Sequence, residues 1–176
     1  MTRPHVFLPG DAGPPLLLLH GTGGDEHDLL PLREHLATGS PVLSPRGTVL
    51  ENGMPRFFHR RAEGVFDEDD LRSRVDELAD FVGSAAAEHG VAPGSWTAVG
   101  FSNGANIASA MLFRRPEVLA GAVLLAAMVP FRDGPGDVDL TGRRVAVSNG
   151  RHDPMATAAH TATLVAQLRG CGAFLG

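Results

Sequence analysis

Four consecutive leucines, Leu16 to Leu19, lead into His20 and stand between Pro14-Pro15 and Gly21. A strand sends alternate side chains to opposite faces, so a run that is apolar at every position has no face to give to water. Such a strand belongs inside a sheet covered on both sides, and sheets of that kind are mostly parallel and wrapped in helices. The remaining apolar spacing agrees with alternating strands and helices. Asp28 to Ala37 reads as a helix and Pro41 to Ser44 as the start of a strand. Arg46 to Gly64 has few periodic apolar positions and reads as a long surface loop of the sort that shapes a pocket. From Asp67 to His89, apolar residues recur at Leu71, Val75, Leu78, Phe81 and Val82 behind an acidic first turn, and Gly90 and Pro93 mark the end of that helix. Trp96 to Phe101 then reads as strand, Asn103 to Phe113 as helix, Ala120 to Ala126 and Arg143 to Ser148 as strands, and Ala156 to Arg169 as helix. Ala173 to Leu175 opens one more strand. The expectation is an α/β fold, a mostly parallel sheet with helices on both faces, in one domain spanning residues 1–176.

Composition removes several classes of function. Of 176 residues, 43% are hydrophobic and 20% charged, with 22 Gly and 13 Pro, a globular balance with many tight loops. The net charge of -5 is spread over interspersed acids and bases, which leaves no basic stripe for nucleic acid. Met1 to Gly10 lacks an apolar run of signal-peptide length, and no apolar stretch is long enough to span a bilayer, so a soluble cytoplasmic protein without membrane insertion is expected. Cys171 stands alone, which rules out an internal disulfide or a thiolate metal site within one chain, and it is expected to be inert. All fifteen basic residues are Arg. Without Lys there is no Schiff base, Ser-Lys dyad or phosphate-loop lysine, so nucleophilic chemistry here runs through Ser, Thr or a carboxylate with His as base.

Three segments carry candidate chemistry, each at the C-terminal end of an expected strand. Gly100-Phe101-Ser102-Asn103-Gly104 fits G-x-S-x-G between a strand and a helix. There a serine occupies a strained bend that lifts its hydroxyl out of the sheet, and the glycines avoid collisions with neighbouring backbone; the same residues also suit a plain Ser N-cap. His20-Gly21-Thr22-Gly23-Gly24 follows the leucine strand. It is either a glycine-rich turn or a loop whose Thr22 N–H joins that of Asn103 on an oxygen that becomes negative. Its G-x-G-G spacing does not fit a dinucleotide loop. In Ser148-Asn149-Gly150-Arg151-His152-Asp153-Pro154, Asp153 is either an Asp-Pro turn residue or the acid that orients a histidine.

With these residues in place, the chain resembles the phospholipase/carboxylesterase branch of the α/β-hydrolases, relatives of acyl-protein thioesterases and dienelactone hydrolases. The shared segments run nearly end to end: Leu18 to Glu26, Arg56-Phe57-Phe58, Gly64 to Glu68, Gly100 to Ala108, and Gly150 to Pro154. The resemblance implies Ser102 as nucleophile, Asp153 as triad acid, and Thr22 and Asn103 as oxyanion donors. It also implies a small carboxylic ester or thioester substrate, with no cofactor and no metal.

At its end the chain departs from the family, whose triad His follows the acid in a Gly-His loop after a further strand. None of the eight histidines occupies that position. His160, roughly two helical turns past the acid, is a weak candidate, and His152 is expected to point away from Ser102. Three explanations stay open: residues beyond Gly176 supply the base, the reading frame shifts near Gly172, or the site is retired. The expectation is a serine hydrolase whose histidine comes from residues not shown; the alternative is a ligand-binding or interaction domain without turnover. The strand at Arg143 to Ser148 would then lie near an open edge, which makes a homodimer the expected partner state. Met128, Val129, Pro130 and Phe131 either line an acyl pocket or pack in the core.

Overall fold

The computed structural model describes residues 3–176, so Met1 and Thr2 of the N-terminal segment read above lie outside the described residues. In chain order the elements are β1 (His5–Leu8), β2 (Leu16–Leu19), α1 (Arg33–Leu36), β3 (Val42–Pro45), β4 (Val49–Glu51), β5 (Met54–Arg56), β6 (Arg60–Ala62) and β7 (Val65–Phe66). There follow α2 (Glu68–His89), β8 (Trp96–Phe101), α3 (Asn103–Arg114), β9 (Leu119–Leu125), β10 (Arg144–Ser148), α4 (Ala158–Gly170) and β11 (Phe174–Leu175). Seven strands form one sheet in the order β1-β3-β2-β8-β9-β10-β11, parallel throughout except for β1.

The leucine run behaves as its composition requires. Leu17 and Leu19 join the large core with α2 and α3, Leu16 and Leu18 join a second cluster on the opposite face, and all four are buried. Leu29, Leu30, Leu32 and Ala37 close that second face. In α2 the stripe of Leu71, Val75, Leu78 and Val82 is fully buried. Asp67 caps its start by accepting from the Asp70 N–H, and Gly90, at φ 68°, ends it in the left-handed conformation that glycine adopts without strain.

Two expectations are corrected. The segment Asp28 to Ala37 is not one helix but a single 3-10 turn, Leu30–Leu32, followed by the one turn of α1. Pro31 opens that turn without a side-chain cap, and Ala37 leaves the helix at φ -161°, so the chain can reach β3. Arg46 to Gly64 is not a structureless loop. It holds the antiparallel pair β4–β5 and, with β7, the pair β6–β7, and Arg56, Phe57 and Phe58 are buried. Strands of two or three residues are too short to show a period. The Asn52-Gly53 turn, with φ 51° and 79°, was nonetheless a readable hairpin signal. The antiparallel strand β1 was not anticipated.

The outer side of β10 is paired only where β11 meets Arg144 and Val145, so an edge lies open from Ala146 to Ser148 among the described residues. No described helix is long and apolar enough to cross a membrane.

Candidate active site

The bend between β8 and α3 has the conformation that the sequence pattern demands. Ser102 sits at φ 50° and ψ -111°, where a residue with a side chain is strained. Its N–H donates to the Leu125 carbonyl at 2.8 Å, and its own carbonyl accepts from the Asn106 N–H at 2.9 Å. The hydroxyl makes no capping bond to α3, so the simple N-cap does not describe it. Both flanking glycines are sterically required. A Cβ on Gly100 would stand 2.5 Å from the Gly104 carbonyl oxygen, and one on Gly104 would fall on the Leu19 carbonyl at the end of β2.

The loop after β2 is held from three sides. The His20 ring is 2% exposed; its Nε2 accepts from the Gly47 N–H at 2.9 Å, so Nδ1 carries the proton and donates to the Gly21 carbonyl at 2.6 Å. Burial pushes its pKa down, which keeps the ring neutral. The Gly23 N–H donates to the Pro55 carbonyl, and Arg56 Nη1 donates to the Thr22 hydroxyl at 2.8 Å. The Phe57 N–H donates to Asn103 Oδ1 at 2.7 Å, which ties the β5 hairpin to the bend. Among the described residues, the backbone N–H groups of Thr22 and Asn103 have no acceptor.

At the end of β10, Asp153 Oδ1 accepts from the Met155 and Ala156 N–H groups at 2.8 and 2.9 Å. Those two bonds, that of Ala156 first, hold its carboxyl below the ordinary range, so Asp153 is ionised at neutral pH. Two asparagines brace the loop after β9, between the bend and the acid. Asn106 Oδ1 accepts from the Met128 N–H, while Asn149 accepts from the Ala127 N–H and donates to the Ala127 carbonyl and the Thr161 hydroxyl.

These loops meet. Ser102, Thr22, Asn103 and Asp153 line one cleft of about 780 Å³, with Arg56, Arg60, Phe66, Met128 and Met155 among its other walls. Of the residues Met128 to Phe131, Met128 faces the cleft, whereas Phe131 packs in the core beneath the Arg72 guanidinium. His160 is not brought to Ser102: its Nδ1 faces the Met155 carbonyl at 2.8 Å. His152, itself exposed, lines the same cleft from the turn that carries Asp153. No histidine nitrogen bonds Ser102 or Asp153 among the described residues. Sequence reasoning gave no role to Asn106 or Asn149. A buried asparagine inside a helix is a readable sign of a structural bond, because asparagine otherwise disfavours that position.

Asp25, Glu26 and His27 are the one cluster with metal-type ligand spacing among the described residues. Glu26 is already taken by Arg46 at 2.8 Å, and Asp25 by the His27 N–H, so these groups have partners without an ion.

No family model matches the chain. MhqD of Bacillus subtilis (strain 168), whose name places it among hydrolases, is 48% identical over 169 residues, covering 96% of this chain and 84% of its own length. The crystal structure of the Bacillus cereus carboxylesterase superposes with a TM-score of 0.95 at 48% identity, covering 99% of this chain and 82% of that one. A carboxylesterase from Mesorhizobium loti superposes with a TM-score of 0.91 at 30% identity, covering 99% and 83% of the two chains.

Proposed function

The chain belongs to the phospholipase/carboxylesterase family of α/β-hydrolases, a family of ester hydrolases, and on that premise we propose that it cleaves a small carboxylic ester or thioester through an acyl intermediate on Ser102. The observation that carries this reading is the uncapped Ser102 hydroxyl at a strained bend, lining one cleft with Thr22, Asn103 and Asp153. The Ser102 oxygen bonds to the ester carbonyl carbon while its proton passes to a base. The carbonyl oxygen, now negative, accepts from the Thr22 and Asn103 N–H groups. The alcohol or thiol leaves with the proton, and water then releases the acid and restores Ser102. Asp153, kept ionised by two backbone bonds, is suited to orient an imidazole base. No described helix is long and apolar enough to cross a membrane, which agrees with a reaction in the cytoplasm; recovery of the protein outside the cytosolic fraction of broken cells would contradict this.

No described histidine bonds Ser102 or Asp153, which sets the expected rate. A serine hydrolase without its imidazole in place retains a residual acceleration on the order of 10³–10⁴ over water. Hydrolysis of a short-chain activated ester should therefore be slow, and should rise when free imidazole is added. The rise beyond that given by imidazole in solution should vanish in Ser102→Ala, whereas the residual rate, which comes from the oxyanion donors and binding, should persist. Rates identical in the two forms at every imidazole concentration would defeat the reading. The same observation favours a second one, a domain that binds esters or acids without turning them over. Saturable binding together with those identical rates would support it.

A further inference from the structure

The cleft that holds Ser102 is also lined by Arg56, Arg60 and Arg151, and among the described residues Asp153 is the only carboxylate on its walls. This is a local excess in a chain of net charge -5, not part of a generally basic surface. Arg56 and Arg60 share one counter-ion. Glu51 lies 3.2 Å from Arg56 Nη1 through one oxygen and accepts from Arg60 Nε at 2.9 Å through the other. One carboxylate against two guanidinium groups leaves one positive charge on the wall. Burial sharpens the imbalance, since Arg56 is only 4% exposed and a desolvated cation needs a partner.

Donors are left over as well as charge. Arg56 uses Nε on the Phe58 carbonyl and Nη1 on the Thr22 hydroxyl, and its Nη2 has no acceptor among the described residues. Arg60 uses only Nε, so both of its terminal nitrogens are open in the same sense. Asn103, which also lines the cleft, has its Nδ2 buried without an acceptor. Planar guanidinium groups with open N–H pairs match the two oxygens of a carboxylate. A residual of one charge suits that monoanion better than a phosphate dianion. The neighbouring Phe66, Met128 and Met155 offer apolar surface to a short methylene spacer.

We propose that the cleft selects esters carrying a second, free carboxylate seated against Arg56 and Arg60, so that the substrate is a half-ester of a short dicarboxylic acid. Turnover of that ester rests on the reading of Ser102 given above, whereas binding of the carboxylate does not. In the reaction the ester C–O bond is broken, water supplies the new C–O bond, the alcohol departs, and a dicarboxylate and one proton are released.

The test compares methyl hydrogen succinate with methyl 4-oxopentanoate, which replaces the carboxylate by a neutral acetyl group of similar shape. In parallel, calorimetry follows the binding of succinate and of inorganic phosphate to the full chain. The half-ester should be preferred in kcat/KM by about tenfold or more, the scale of one charge-assisted hydrogen bond. Succinate should bind saturably, more tightly than phosphate, in both the native and Ser102→Ala forms. Arg60→Gln should bring the preference close to one and weaken succinate by about tenfold, and Arg60→Lys, which keeps the charge, should restore part of both. Equal kcat/KM for the two esters, phosphate binding tighter than succinate, or succinate binding unchanged in a folded Arg60→Gln protein would each overturn the proposal. Arg60-dependent succinate binding with no hydrolysis of either ester would uphold the carboxylate site and count against Ser102 as nucleophile.

Discussion

Ser102 is held at φ 50° and ψ -111° by bonds that β9 and α3 make to its own peptide groups, so the fold and not the residue sustains the conformation. Such a backbone costs about 1–3 kcal/mol for a residue with a Cβ, and glycine escapes most of that cost. Ser102→Gly should therefore be more stable than Ser102→Ala by about 1 kcal/mol in denaturant unfolding; equal stabilities would mean that the bend is unstrained. His20 gives a pH dependence whose sign follows from its bonds. Its Nε2 must stay unprotonated to accept from Gly47, and burial lowers its pKa below the ordinary 6.5. The unfolded chain then takes up the proton first as pH falls. The stability His20 contributes is complete above 6.5 and is lost as pH drops from there toward the lower folded value. A His20→Gln variant should show a smaller fall in melting temperature between neutral pH and pH 5 than the native chain, and an equal fall would reject this role.

Among the elements, β2, α2, β8, α3 and β9 were legible to within a residue or two because each carries its own signal: a fully apolar run, a stripe with a cap and a left-handed stop, or a glycine-framed bend. What escaped was stabilised by tertiary contacts. The short strands β4 to β7 have no period to read, and they hold because Phe57 and Phe58 are buried and the Phe57 N–H meets Asn103. Candidate site residues were legible through the same signals, since Ser102, Thr22, Asn103 and Asp153 all follow strands of the parallel sheet. Arg56 stood in a segment read as loop. Asn149 was quoted within its motif, but its work is done at a distance, on Ala127 and Thr161. Replacing it by Ala removes three bonds that hold the loop between the bend and the acid. A loss of about 2 kcal/mol is expected in denaturant unfolding, and a loss below a few tenths would show that loop to be self-supporting.

At the scale of the whole molecule, the parallel sheet brings together residues far apart in sequence. The C-terminal ends of β2, β8 and β10 point the same way, so the loops carrying Thr22, Ser102 and Asp153 open into one hollow. The β4–β5 hairpin closes one side of it and brings Arg56 with it. The central claim is that this convergence makes the Ser102 hydroxyl a nucleophile. The most direct measurement is intact mass and peptide mapping after exposure, with free imidazole present as base, to a fluorophosphonate, which traps an attacking serine as a stable phosphonyl ester. One adduct per chain, located on the peptide containing Ser102 and absent from Ser102→Ala, is the predicted result. A folded chain that stays unmodified under prolonged exposure, or one labelled equally in both forms, would contradict it.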